Sequence, residues 1–188
     1  MIEIELKIPI NNAEVPALLT KISTFNELKS GERLYEKNVM YDNPAQLMIK
    51  TDGRIRLRQT GDKVEFCYKK PLKDDSDIKK EIEHQVNTSN FDITHTILEM
   101  MEFTPMSSYE RYRTKIKGLN TIITIDEYPF QTFVEVEGQE VDIKKVATML
   151  GLDISNNTNL PCDTLFVQWR EKQGLPIKFN MTFADYDK

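Results

Sequence analysis

The sequence is poor in the residues that build small metal or redox centres. Its two cysteines, Cys67 and Cys162, stand far apart, and its two histidines, His84 and His95, have no partner at ligand spacing. This nearly excludes a zinc site built on Cys and His. The cysteines read instead as small packing residues in a reducing compartment. No GxxxxGKS/T loop occurs, so any bound phosphate must be held by side chains rather than by a helix N-terminus. No apolar run approaches the roughly 20 residues that span a bilayer, and charged residues begin at Glu3, so neither a membrane span nor a signal peptide is expected. The formal net charge of −5 offers no overall attraction to nucleic acid or to an anionic membrane. The expected location is the cytoplasm.

What is present is ordinary in bulk: 188 residues, 39% apolar and 29% charged, fit one domain with a substantial core. We expect a single domain over 1–188, with its core at about 1–180. The chain opens on a strict period of two, Ile2-Glu3-Ile4-Glu5-Leu6-Lys7-Ile8, which predicts a strand with one aliphatic and one charged face. Residues 11–31 predict a helix, with Asn12 as N-cap, Pro16 early and Gly31 closing it. A hairpin follows, with strands at 54–59 and 64–70 around a turn at 60–63. The charge-dense stretch 72–80 reads as a solvated loop, with a lid over a cavity mouth as the alternative.

EIEHQV at 81–86 alternates again, and 90–103 carries Ile93, Ile97, Leu98 and Met101 at helical spacing. Three consecutive strands are expected at 107–118, 120–128 and 132–138. Two short helices close the chain. One has Asp142 at its N-cap and Gly151 just past its end, and the other packs Leu165, Phe166 and Trp169 on one side, before a frayed tail at 183–188.

Nearly every strand repeats the pattern of the first. Arg54, Arg56 and Arg58 share a face, as do Glu81 and Glu83, Arg111, Arg113 and Lys115, and Glu135 and Glu137; Lys69 and Asp126 fall on the charged faces of their strands. Two arrangements satisfy this. One is a sheet with a wet side whose mixed charges block edge pairing. The other is a closed sheet with the charged face inward and amphipathic helices covering the outside. Paired acids at Glu3/Glu5, Glu81/Glu83 and Glu135/Glu137 set like charges within about 7 Å along a strand, which a divalent cation would relieve. Eight bases and seven acids are then candidates for an interior site, a near-parity suited to a polyanion held together with divalent cations. Arginine forks match phosphate oxygens, and carboxylates are hard ligands for Mg²⁺ or Mn²⁺.

In their order these motifs resemble the CYTH superfamily, the triphosphate tunnel metalloenzymes. Glu3-x-Glu5-x-Lys7 is similar to the family's ExExK signature, Tyr41-Asp42 to the end of its second strand, and Ile55-Arg56-Leu57-Arg58 to its arginine strand. Tyr68-Lys69-Lys70-Pro71, Glu81-Ile82-Glu83, Arg111-Tyr112-Arg113, Ile125-Asp126 and Phe133 to Glu137 continue the series. The resemblance implies an α+β fold: an antiparallel, closed eight-stranded β-tunnel with a charged interior, flanked by amphipathic helices. It implies Glu3, Glu5, Asp126, Glu135 and Glu137 as ligands of Mg²⁺ or Mn²⁺. Lys7, Arg54, Arg56, Arg58, Lys69, Arg111, Arg113 and Lys115 are implied as phosphate-binding residues, with Lys7, Lys69 and Arg111 closest to the chemistry. Glu81 and Glu83 line either the site or only its wall.

The implied activities are hydrolysis of inorganic or small organic triphosphates, cyclisation of ATP by a class IV adenylyl cyclase, or triphosphate binding without turnover. The implied partner is a small-molecule triphosphate, without nucleic acid or membrane, and a homodimer is compatible with it. Two departures bear on the reaction. Arg111 stands where the family often has Lys, so it clamps but cannot act as a base, and Pro129-Phe130-Gln131-Thr132 replaces a common glycine.

Overall fold

The alternation is realised as a closed sheet whose apolar face points outward. The computed structural model describes residues 2–72 and 78–185. Eight antiparallel strands form the barrel: β1 (Ile2–Ile10), β2 (Lys29–Asp42), β3 (Arg54–Thr60), β4 (Lys63–Pro71), β5 (Lys79–Thr88), β6 (Thr104–Gly118), β7 (Thr121–Glu127) and β8 (Thr132–Glu137). Their order is β2-β3-β4-β5-β1-β8-β7-β6, and β2 pairs back onto β6 from Lys29↔Lys117 to Asp42↔Thr104, which closes the ring. A two-residue strand, β9 (Asn180–Met181), joins β6 in parallel where β7 no longer reaches it.

Because the lumen is charged, the hydrophobic core lies outside the barrel. Leu6, Ile8, Ile116, Ile123, Ile125, Val134 and Val136 project from β1, β6, β7 and β8 onto helices α1 (Val15–Ser23) and α4 (Glu140–Leu150). The helices answer with Leu18, Ile22, Ile143, Val146, Ala147 and Leu150. Each fully buried aliphatic side chain contributes about 1.5–3 kcal/mol. A second cluster packs Ile55, Leu57 and Val64 under α2 (Leu47–Lys50) and α3 (Phe91–Met100) through Met48 and Leu98. At one end, α5 (Cys162–Lys172) sets Phe166 and Trp169 against Phe130, so Trp169 is a packing residue.

Several local expectations change. The helix expected over 11–31 ends at Ser23, and the chain is strand again from Lys29, because β2 must match the length of β6 to seal the barrel. Gly31 therefore lies within a strand. The cap is Asn11 rather than Asn12: its side chain accepts from the Ala13 N–H, and Glu14 accepts from the Asn11 N–H. Gln139, not Asp142, occupies the N-cap of α4, while Gly151 ends that helix in the left-handed region (φ 72°), as expected. On α3 only Leu98 is buried; Ile93, Ile97 and Met101 are exposed. Of the loop expected at 72–80, residues 73–77 lie outside the described residues and Lys79 already belongs to β5. Of the tail, 183–185 form one turn and 186–188 lie outside the described residues. Among the described residues no helix is long and apolar enough to cross a membrane.

Tyr41-Asp42, at the end of β2, is a structural element. The Asp42 carboxylate accepts from the N–H groups of Asn43 (2.8 Å), Met48 (2.9 Å) and Ile49 (3.1 Å), tying strand to helix. Burial pushes its pKa up, but these three N–H groups outweigh burial and hold it below its ordinary value. A carboxyl depressed in the fold stabilises above its unfolded pKa and loses that contribution as pH falls through the folded value. Asp42→Ala is expected to cost about 1.5–3 kcal/mol in urea unfolding at pH 7. The gap to the wild type should narrow below about pH 4.

Candidate active site

The inward faces of the strands line a cavity of about 540 Å³. Strand order sorts its charges. The adjacent strands β5, β1 and β8 carry Glu81 and Glu83, Glu3 and Glu5, and Glu135 and Glu137. On the far side, β3 and β6 flank β2 and carry Arg54, Arg56 and Arg58, and Arg111, Arg113 and Lys115. An acidic wall thus faces a basic wall.

Within the acidic wall the register sets like charges opposite one another, Glu3 against Glu81 and Glu5 against Glu137. Such pairs repel, and lysines compensate. The Lys69 ammonium bonds Glu3 and lies 3.5 Å from Glu83 and 3.9 Å from Glu81. Lys79 Nζ lies 2.8 Å from both Glu5 Oε1 and Glu81 Oε2, and Lys7 Nζ lies 3.5 Å from Glu135 and 3.9 Å from Glu5. Burial lifts the Glu3 carboxyl to about 7 against the pull of Lys69, with Glu5 and Glu83 adding to the rise. Lys69 is penalised by burial and by Arg56, yet Glu3, Glu5 and Glu83 hold it above its usual value; of this pair, the charge on Lys69 is the secure one. Glu135 is also desolvated, but Lys7, Arg113 and Arg111 keep it well below the carboxylate range.

The basic wall is held from behind. Arg111 donates through Nε to Glu36 (2.7 Å) and through Nη1 to Asp126 and the Tyr128 hydroxyl (both 2.9 Å). Arg58 donates Nε to Asn38 Oδ1 (2.9 Å) and lies 3.5 Å from Glu36. Arg113 bonds Asp126 and donates to Glu135 Oε2 at 2.9 Å. Despite these contacts, Arg56 Nε and Arg111 Nη2 are buried without a hydrogen-bond partner. Among the described residues no carboxylate comes within ion-pair distance of Arg54, Arg56 or Lys115, all three of which line the cavity. Unsatisfied buried guanidinium donors are costly, and anions are the acceptors guanidiniums bind most strongly.

The carboxylates also fit a divalent cation. One oxygen each from Glu3, Glu5 and Glu81 fall within 4.8 Å of one another, a hard-oxygen set suited to Mg²⁺ or Mn²⁺. Of the ligands the resemblance implies, the structure brings Glu3 and Glu5 to this cluster. Glu137 lines the lumen opposite Glu5, Glu135 is engaged by Lys7 and Arg113, and Asp126 is fully buried between Arg111 and Arg113. Glu81 joins the cluster from β5, and Glu83 lies beside it on Lys69.

Sequence reading missed Glu36, Asn38, Lys79 and Tyr109. Lys79 has the parity of Glu81 and Tyr109 that of Arg111, a usable signal. Glu36 and Asn38 sit in a strand that is polar on both faces, so alternation does not single them out.

The fold and lumen define a closed antiparallel β-tunnel with an ionic interior. The chain belongs to the CYTH domain family, which it matches over residues 1–159. No curated protein sequence matches it. Solved structures share the fold at low identity. A candidate adenylate cyclase from Vibrio parahaemolyticus is 18% identical with a TM-score of 0.75, over 88% of this chain and 98% of that one. A Pyrococcus horikoshii protein is 18% identical with a TM-score of 0.71, over 85% and 96%. A candidate adenylyl cyclase from Hippeastrum, described as having a dominant triphosphatase activity, is 17% identical with a TM-score of 0.61, over 95% and 98%.

Glu137 tests the unbalanced acidic wall. Burial, with Glu83 and Glu5 beside it, raises its pKa against the pull of Lys69 and Lys115. A carboxyl raised in the fold loses stability as pH climbs from its unfolded value of about 4.5. Glu137→Gln, in chelator-treated protein, is therefore expected to gain up to about 1 kcal/mol in urea unfolding at pH 8 and nothing at pH 4.

Proposed function

We propose that this chain is a divalent-metal-dependent enzyme that binds a triphosphate inside its β-tunnel and hydrolyses it, releasing phosphate. The observation that carries this reading is the pair of buried guanidinium donors without acceptors, Arg56 Nε and Arg111 Nη2, on residues that line the same lumen as a three-carboxylate cluster. A triphosphate presents about four negative charges, and phosphoryl transfer needs positioning and charge neutralisation more than covalent chemistry. Arg54, Arg56, Arg58, Arg111, Arg113 and Lys115 hold phosphate oxygens along the basic wall, and Lys69 meets them from the other side. Glu3, Glu5 and Glu81 hold Mg²⁺ or Mn²⁺, with Glu135 and Glu137 alongside. The bound ion supplies further neutralisation at the phosphate oxygens.

Lys7 is held between Glu135, Glu5 and the Leu160 carbonyl (3.3 Å), and these carboxylates raise its pKa despite burial. It stays an ammonium and acts through its charge. Arg111 likewise clamps and does not take a proton.

A second reading has one specific support. A further cavity of about 530 Å³ shares Met40, Arg54, Lys79 and Glu81 with the lumen and is lined by Tyr41, Met48, Ile49 and Met106. It gives room for an apolar group attached to the triphosphate. This favours an organic triphosphate over the inorganic one and keeps the class IV adenylyl cyclase reaction as the alternative.

The test is product analysis by ³¹P NMR with inorganic triphosphate, thiamine triphosphate and ATP, each with Mg²⁺ or Mn²⁺. Orthophosphate supports hydrolysis, cyclic AMP with pyrophosphate supports cyclisation, and tight binding without turnover makes the chain a triphosphate-binding module. Arg56→Ala is expected to lower kcat/KM on the preferred substrate by roughly 10²–10³-fold. Its circular dichroism should not change, since Arg56 holds no carboxylate of the fold. Full activity in that variant would remove the basic wall from the mechanism.

A further inference from the structure

Lys79 lines both cavities and stands directly across from Glu5 in the β1–β5 register. Its ammonium touches Glu5 Oε1 and Glu81 Oε2, each at 2.8 Å, and both residues belong to the three-carboxylate cluster. Lys69 differs: besides Glu3 and Glu81 it lies near Glu83, which is outside the cluster. Among the described residues, the carboxylates that Lys79 pairs with both belong to the cluster, and Lys69 has in Glu83 one that does not. An ammonium 2.8 Å from these oxygens and a divalent ion, held at about 2.0–2.1 Å in the case of Mg²⁺, draw on the same two carboxylates. Two cations crowded onto the same two carboxylates repel each other, so each weakens the other's hold.

We propose that Lys79 is an internal counter-cation of the metal site. In the metal-free tunnel its ammonium neutralises the cluster in place of a divalent ion. When the cluster is loaded, the ammonium is released from Glu5 and Glu81 to the phosphates of the bound substrate. One residue then couples the two ligands. The metal must displace an ammonium to enter, and the displaced charge strengthens triphosphate binding. By linkage, triphosphate strengthens metal binding by the same factor. The coupling to triphosphate rests on the function proposed above, whereas the competition with metal does not.

The experiment compares wild type with Lys79→Met, similar in length and uncharged. Mn²⁺ is titrated alone and followed by the EPR signal of the free ion; tripolyphosphate is then titrated at saturating Mn²⁺ by calorimetry. Lys79→Met is expected to bind Mn²⁺ at least about tenfold more tightly and tripolyphosphate at least about tenfold more weakly, two effects of opposite sign. A lysine that only braces the wall would weaken both or neither, and that result overturns the proposal, as does the absence of Mn²⁺ binding to either protein. If wild type binds Mn²⁺ but not tripolyphosphate, the triphosphate reading falls, and the Mn²⁺ comparison still decides the role of Lys79. Should Lys79→Met fail to fold by circular dichroism, the wild type supplies the readout. Acetylation of Lys79, followed by mass spectrometry, is expected to accelerate at least about tenfold when Mn²⁺ is added, because the amine leaves its two carboxylates. An unchanged or slower rate overturns the proposal.

Discussion

The constraint on which this structure depends is charge neutrality inside a closed sheet. Buried charge without a partner is far more expensive than any single hydrophobic contact is favourable. The barrel meets this constraint by separating its signs onto opposite walls and then linking them. Glu36 and Asp126 brace Arg58, Arg111 and Arg113 from the strand backbone side, while Lys7, Lys69 and Lys79 interleave the acids. The linkage is incomplete by design of the register. Glu3–Glu81 and Glu5–Glu137 remain like-charge neighbours, and two guanidinium donors remain without acceptors. One wall of the lumen is left short of cation and the other short of anion.

The outward apolar face follows from the same constraint. A barrel interior filled with ions contributes no hydrophobic stabilisation, so the aliphatic residues must be buried elsewhere. Strand alternation makes that possible with no extra sequence: along β1, for example, Glu3, Glu5 and Lys7 inside are followed by Ile4, Leu6 and Ile8 outside. Helices α1 and α4 cover one flank of the barrel and α2 and α3 another, while α5 closes an end with aromatic rings. The stability of the molecule and the chemistry of its lumen therefore reside on opposite faces of the same strands.

Much of this was legible in the sequence, because a period of two is preserved wherever one face must differ from the other. The charged faces of β1, β3, β5, β6 and β8 could be read directly, and so could the hairpin of β3 and β4. Legibility failed where local signals and ring closure conflict. Residues 24–31 carry a helix-like pattern and a glycine stop, yet part of them is drawn into β2, whose length is set by a partner strand far away in sequence. Parity placed Asp126 on a charged face, and the resemblance implied it as a metal ligand. Only the register shows its carboxylate directly opposite Arg113 and taken up by two guanidiniums. Lys79 shares the parity of Glu81, but its position at the end of a charge-dense stretch read as a loop hid that signal.

The ring is sealed by β2 and β6, the two longest strands, which are separated in sequence by β3, β4 and β5. Local hairpins such as β3–β4 and β7–β8 bring neighbouring residues together at little entropic cost, whereas β1–β8, with partners 122–132 residues apart, and this seam, at 62–88, require long loop closures. Until it zips, two long edges stand unpaired and the ionic interior is hydrated rather than confined. Pairing at such separations favours slow folding, and any state in which the ring is still open presents strand edges suited to intermolecular pairing.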